Sequence, residues 1–206
     1  MHDFNDQYYV VRGPKGVDPV TLYLRQTDRS WLLSPGDEEL ALGGEPLFLE
    51  DAFREEFIAA GINNVPEKAH LHIGNLVVNK DIFMDLVDFE IRYFQLFPTV
   101  IVDNEDKFHE GYWYLNCYDR LPALDYANSD IDDFDPGDER HDFKRYCLSE
   151  PVMNALDEEE RLIFRAYGPD RAEIFVHQKI VDIFNAHNVD TVTFYKLSEY
   201  EFGCEY

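Results

Sequence analysis

Apolar and polar side chains alternate at period two through Val20, Thr21, Leu22, Tyr23, Leu24 and Arg25, and turn residues punctuate the chain around them at Gly13-Pro14, Gly16, Asp28 and Ser34-Pro35-Gly36. Alternation places successive side chains on opposite faces of a strand, and Gly and Pro supply the turns between strands. Residues 7–12, 20–25 and 31–33 are therefore read as short strands of a small antiparallel meander. In 49–60 the spacing changes: Leu49, Phe53, Phe57 and Ala60 recur at helical intervals, Glu50 and Asp51 stand in the first turn, and Gly61 follows as a stop. That pattern predicts a surface helix with one apolar face.

The densest apolar stretch is 94–125. A first run from Phe94 is followed by a polar turn and then by Tyr112, Trp113, Tyr114, Leu115, Cys117 and Tyr118, bulky residues that suit a sheet, so the stretch reads as a hairpin. On the second strand Trp113, Leu115 and Cys117 share one face and Tyr112, Tyr114 and Asn116 the other. The Trp113 face is the better core candidate; the tyrosine face is a second buried layer or an anchor surface for a partner.

Two nine-residue segments, Val78 to Leu86 (VNKDIFMDL) and Val176 to Phe184 (VHQKIVDIF), match in apolar register at a constant offset of 98. Extending the offset pairs Ile91 with Val189, Phe94 with Val192 and Leu96 with Phe194, so each copy reads as strand, helix, connection and strand. The expected fold class is α+β: a mixed, mostly antiparallel sheet with a few short packed helices and two similar strand–helix–strand units. Residues 143–148 and 161–167 add strands, and Ser149 is placed to cap a helix carrying Val152, Met153 and Leu156. By composition 1–65 is a β-rich N-terminal portion with one helix, and 66–206 the α+β remainder.

Charge narrows the function classes. The chain has 42 Asp and Glu against 18 Lys and Arg, a formal net charge of −24. Such a field repels nucleic acid and anionic lipid and draws basic partners in, so direct nucleic-acid or membrane contact is not expected. The charge is concentrated in 125–142, where eight of eighteen residues are acidic, including Asp130, Asp132, Asp133, Asp135, Asp138 and Glu139. With so few apolar side chains this stretch reads as a mobile acidic loop. The order of its acids, with Pro136 before Gly137, is not that of a calcium-binding helix–loop–helix.

Few residues suggest catalysis. His70 and His72 would share one face of a strand and, with nearby carboxylates, could serve a small metal-dependent hydrolase, but no third ligand stands at metal-binding spacing. Cys117, Cys147 and Cys204 show no C-x-x-C spacing, which fits a reducing cytoplasm, and the first residues show no basic n-region or apolar h-region and no stretch reaches 18 apolar residues, so the protein is expected to be neither exported nor membrane-spanning. Gly13-Pro14-Lys15-Gly16 and Gly43-Gly44 lack the phosphate-loop pattern and read as turns. No catalytic, cofactor or metal residue is assigned, and the protein is expected not to be an enzyme.

Residues 71–197 carry a resemblance, most specific in YWYLNCYDRLPALD, where Tyr112, Trp113, Tyr114, Asn116 and Asp125 match a family pattern. The stretch resembles the Imm11 family of bacterial immunity proteins. That resemblance implies a non-enzymatic protein that binds and neutralises a cognate toxin, a polymorphic or contact-delivered effector, by direct contact. A basic toxin, such as a nuclease with a positive cleft, would suit an acidic partner whose first candidate contact surface is the 125–142 stretch.

Overall fold

The computed structural model describes residues 4–14, 22–171 and 173–204. A 3-10 turn at Phe4–Asp6 precedes β1 (Tyr8–Arg12). Then come β2 (Leu24–Gln26), a 3-10 turn at Asp28–Ser30, β3 (Leu47–Asp51) and α1 (Arg54–Ala60). The middle of the chain forms β4 (Ala69–His72), β5 (Asn75–Asn79), α2 (Lys80–Leu86), β6 (Phe94–Val102), β7 (Phe108–Cys117) and β8 (Arg120–Leu121). The remainder forms β9 (Asp130–Asp132), β10 (Asp142–Arg145), α3 (Glu150–Asn154), β11 (Ile163–Ala166), β12 (Phe175–His177), α4 (Gln178–Ala186) and β13 (Thr193–Lys196).

The strands make a six-stranded sheet, β2-β3-β6-β7-β5-β4, a five-stranded sheet, β13-β1-β12-β11-β8, and the separate hairpin β9-β10. Pairing is antiparallel except between β3 and β6 and between β8 and β11, so the fold is α+β with mostly antiparallel sheets. The two matching segments have the same topology. In the first, β5 and β6 flank β7, each antiparallel to it, with α2 crossing between them. In the second, β12 and β13 flank β1 in the same way, with α4 as the crossover. The central strand thus follows the first unit in sequence but precedes the second by most of the chain.

The correspondence extends to the caps. At offset 98, Asn79 and His177 both sit in extended conformation at helix N-caps; Asn79 Oδ1 accepts from the Ile82 amide at 3.3 Å and His177 Nδ1 from the Lys179 amide at 3.3 Å. Ile82 and Ile180, and Leu86 and Phe184, are equivalent and buried, and they meet in one core that also takes Val78 and Leu115 from the first sheet and Val11, Ile163 and Val176 from the second. The opposite face of the five-stranded sheet packs Tyr8, Val10, Phe164 and Phe175 against Phe143, Tyr146 and Met153. The opposite face of the six-stranded sheet packs Leu47, Phe97 and Tyr114 beneath Leu22 and Leu40.

Four expectations change. The meander does not form: β1 is central in one sheet and β2 lies at the edge of the other, because β1 has apolar side chains on both faces and needs cover on both. Residues 31–33 are a turn, with Trp31 and Leu32 exposed, and residues 20 and 21 lie outside the described part. Residues 47–51 are a strand paired in parallel with β6, so Leu49 belongs to sheet core and the helix starts at Arg54 and buries nothing fully. Gly61 does end that helix, in left-handed conformation. On β7, Tyr114 is fully buried whereas Trp113 is half-buried and stacked on Phe83 at 4.1 Å, so both faces of this strand are core.

Tyr8 tests the dependence of the second unit on β1. Its ring is fully buried, and its hydroxyl donates to the Arg161 carbonyl at 3.1 Å while accepting from Arg161 Nη1 at 2.7 Å. Tyr8→Ala is expected to lower unfolding free energy by about 3–5 kcal/mol, and Tyr8→Phe by about 1–2 kcal/mol, measured by urea denaturation.

Candidate functional site: the acidic hairpin

The acidic stretch begins at an exposed turn that Asp125 organises. Its carboxylate accepts from the Ala127 and Asn128 amides at 3.0 and 3.2 Å and from Asn128 Nδ2 at 2.7 Å, and these bonds, the Asn128 side chain first, hold its pKa below the usual range. Ser129 Oγ donates to the Asp125 carbonyl at 2.7 Å and accepts from the Cys147 amide at 3.0 Å, which fixes the turn to the strand leading back. From there β9 and β10 pair as an antiparallel hairpin with a register shift between Phe143 and Arg145.

The expected mobile loop is therefore a hairpin, and aromatic side chains are the reason. Tyr126 lies edge-on to His141 and Phe143 at 5.6 and 5.5 Å, Phe134 lies 4.9 Å from His141, and Phe143 stacks on core Tyr146 at 5.2 Å. Backbone bonds add a tether: the His141 amide donates to the Gly168 carbonyl at 2.7 Å, and the Asp170 amide donates to the His141 carbonyl at 2.9 Å. Gly168 has φ +106°, and a Cβ there would overlap the Tyr126 hydroxyl, so both conformation and space require glycine. The Tyr126, Phe134, His141 and Phe143 spacing was the signal in the sequence; the count of acids concealed it.

All six acidic candidates are exposed. Asp132 pairs with Lys144 across the hairpin at 3.0 Å, and Asp135 Oδ1 accepts from the Gly137 amide at 2.8 Å to close the tip. Asp130, Asp133, Asp138 and Glu139 form no ion pair among the described residues. The hairpin thus presents four carboxylates without an ion pair among the described residues: Asp133, Asp138 and Glu139 on a ridge exposed continuously from Asp132 to Arg140, and Asp130 beside it, opposite Arg145 on the paired strand. Chemically this is a surface for cationic groups, with no nucleophile at its centre.

The other candidates are in the interior. His70 and His72 are 1% exposed on β4; His70 Nε2 accepts from the Glu67 amide at 2.7 Å, and neither nitrogen of His72 has a hydrogen-bond partner among the described residues. Burial pushes both imidazoles down to about 4, so both are neutral near pH 7. Among the described residues no group of three or more His, Cys, Asp or Glu side chains gathers to hold a metal. Burial pushes the Cys117 thiol up to about 12, which removes it as a thiolate nucleophile. No helix among the described residues is long and apolar enough to cross a membrane.

Two outcomes check this local architecture. Gly168→Ala is expected to cost about 1–3 kcal/mol of unfolding free energy, read as a lowered thermal midpoint, and to speed amide exchange at His141. For the histidines, the folded pKa lies below the unfolded value of 6.5, so the stability they contribute is present above pH 6.5 and lost as pH falls towards 4. Between pH 7 and pH 5 each should account for about 2 kcal/mol, and His72→Leu should reduce the measured pH-dependent loss by about that amount. No protein-family model matches the chain, and a search of curated proteins finds no match.

Proposed function

We propose that this protein is an immunity protein that binds a cognate bacterial toxin in the cytoplasm and neutralises it by direct contact, without chemistry of its own. One observation carries the reading: Asp130, Asp133, Asp138 and Glu139 stand on an exposed hairpin with no ion pair among the described residues. Carboxylates already paired within the molecule would have to break those pairs to meet a basic partner; these do not. The resemblance of 71–197 to bacterial immunity proteins supplies the class of partner, and a net charge of −24 supplies its sign. A toxin with a positive cleft, such as a nuclease, would be steered towards this ridge and blocked by it, in the place where phosphates would otherwise sit.

Anchoring matters to the mechanism. A mobile acidic loop would pay an ordering entropy on binding, whereas a hairpin held by the Tyr126–His141–Phe143 contacts meets its partner preformed. The surrounding ridge, including Asp132 and Asp135, would then add a diffuse field, while the four unpaired carboxylates make the contacts.

The experiment is a binding titration with the product of the neighbouring toxin gene, paired with a co-expression rescue assay. The quadruple variant Asp130→Asn, Asp133→Asn, Asp138→Asn and Glu139→Gln should fold as the parent does, bind about ten-fold or more weaker, and fail to rescue growth. Parental affinity should also fall steeply between low and high salt. Affinity indifferent to both salt and the four substitutions would refute the hairpin as the contact surface; no binding to the toxin at all would refute the immunity reading.

A further inference from the structure

Two arginines stand side by side where β8 runs parallel to β11: Arg120 and Arg165 are register partners. Residues opposite one another on paired strands project from the same face, so the sheet holds two guanidinium groups as neighbours, an arrangement that costs stability unless negative charge offsets it. Little offsets it. Arg165 is 8% exposed, and its one hydrogen bond runs from Nη1 to the Gly36 carbonyl at 2.6 Å. Among the described residues it forms no ion pair, and Arg120 reaches its nearest carboxylate, Asp37, at 3.8 Å. Burial first and the Arg120 charge second push the Arg165 pKa down, the direction expected of a cation without a counter-ion.

Two further arginines complete the cluster. Arg140 comes from the exposed hairpin and has no ion pair among the described residues, while Arg171 is engaged by Asp142 at 2.6 Å and lies over the Phe202 ring. All four line a recess of about 60 Å³, beside a cleft of about 400 Å³ that shares Arg120, Arg140 and Pro169 with it. One water needs about 10–15 Å³ on this measure, so the recess has room for one oxyanion and not for a sugar or a base. Two carboxylates also border it: Asp170 is exposed, and Glu173 is held by Arg12.

We propose that the recess formed by Arg120, Arg140, Arg165 and Arg171 binds a phosphate group. Three of these cations are unpaired or loosely paired, which matches a dianion better than a single carboxylate, and guanidinium forks suit its oxygens. The overall charge of −24 sharpens the inference. A field of that sign disfavours anions over the surface as a whole, so a recess lined by four arginines, three of them without a close carboxylate, calls for a local anion. The phosphate arrives either as the free ion or as a phosphomonoester whose organic part lies in the adjoining cleft, beside Tyr167. This site faces the opposite charge from the toxin-binding ridge and does not rest on that reading.

The test is calorimetric titration of inorganic phosphate into the full chain at constant ionic strength, with chloride as the balancing anion. Saturable one-to-one binding is expected, weakened about ten-fold or more in the Arg120→Gln/Arg140→Gln double variant, whose side chains reach the surface and whose circular dichroism should match the parent. Arg165→Gln should abolish it, but this change also releases Gly36, so the double variant decides. Phenyl phosphate binding tighter than inorganic phosphate assigns the site to a phosphomonoester, and equal affinity assigns it to the free ion. Absence of saturable phosphate binding, or parental affinity in the double variant, overturns the proposal. Either result is read without any toxin present, so it stands apart from the test of the immunity reading.

Discussion

The constraint on which the rest of this structure depends is the completion of each strand–helix–strand unit by a strand from elsewhere in the chain. Two parallel strands joined by a crossover helix cannot pair with each other when a gap separates them, and the gap here is filled by an antiparallel strand. The first unit takes β7 from the residues that follow it, and the second takes β1 from the N-terminus. With both gaps filled, the apolar faces of α2 and α4 meet in one core. The N-terminal residues therefore belong to the body of the fold: β1 completes one sheet, while β2 and β3 extend the other.

That frame determines where charge can stand. Polar groups occupy interior positions even so, and two of them carry identifiable costs. His72 is buried without a hydrogen-bond partner and is tolerated because it can be neutral, as its lowered pKa implies. Arg165 cannot lose its proton in the same way, so its burial beside Arg120 asks for an anion. The excess of carboxylates is carried on the outside, above all on the β9–β10 hairpin, which hangs from the second core by its aromatic side chains. Basic and acidic features thus meet at one end of the molecule: Glu139 and Arg140, adjacent in sequence, both border the cleft next to the arginine recess.

What the sequence determined by itself is the local and repeated part. Apolar periodicity identified the fold class, the matched strand–helix–strand segments and the hairpin of β6 and β7, because apolar spacing is set residue by residue along each element and the β6–β7 pairing joins residues near in sequence. Gly61 and the 98-residue offset were legible for the same reason. Long-range pairing decided the remainder. Nothing near Tyr8–Arg12 says that this strand will lie between β12 and β13, and nothing near Leu47–Asp51 says that β6 will claim it as a strand instead of a helical turn. The Arg120–Arg165 neighbourhood arises from a parallel pairing of residues 45 apart, which no local spacing encodes. Side-chain pattern records which face of an element is buried, but the partner that buries it is selected by the free energy of the whole packed chain, and only the tertiary structure contains that choice.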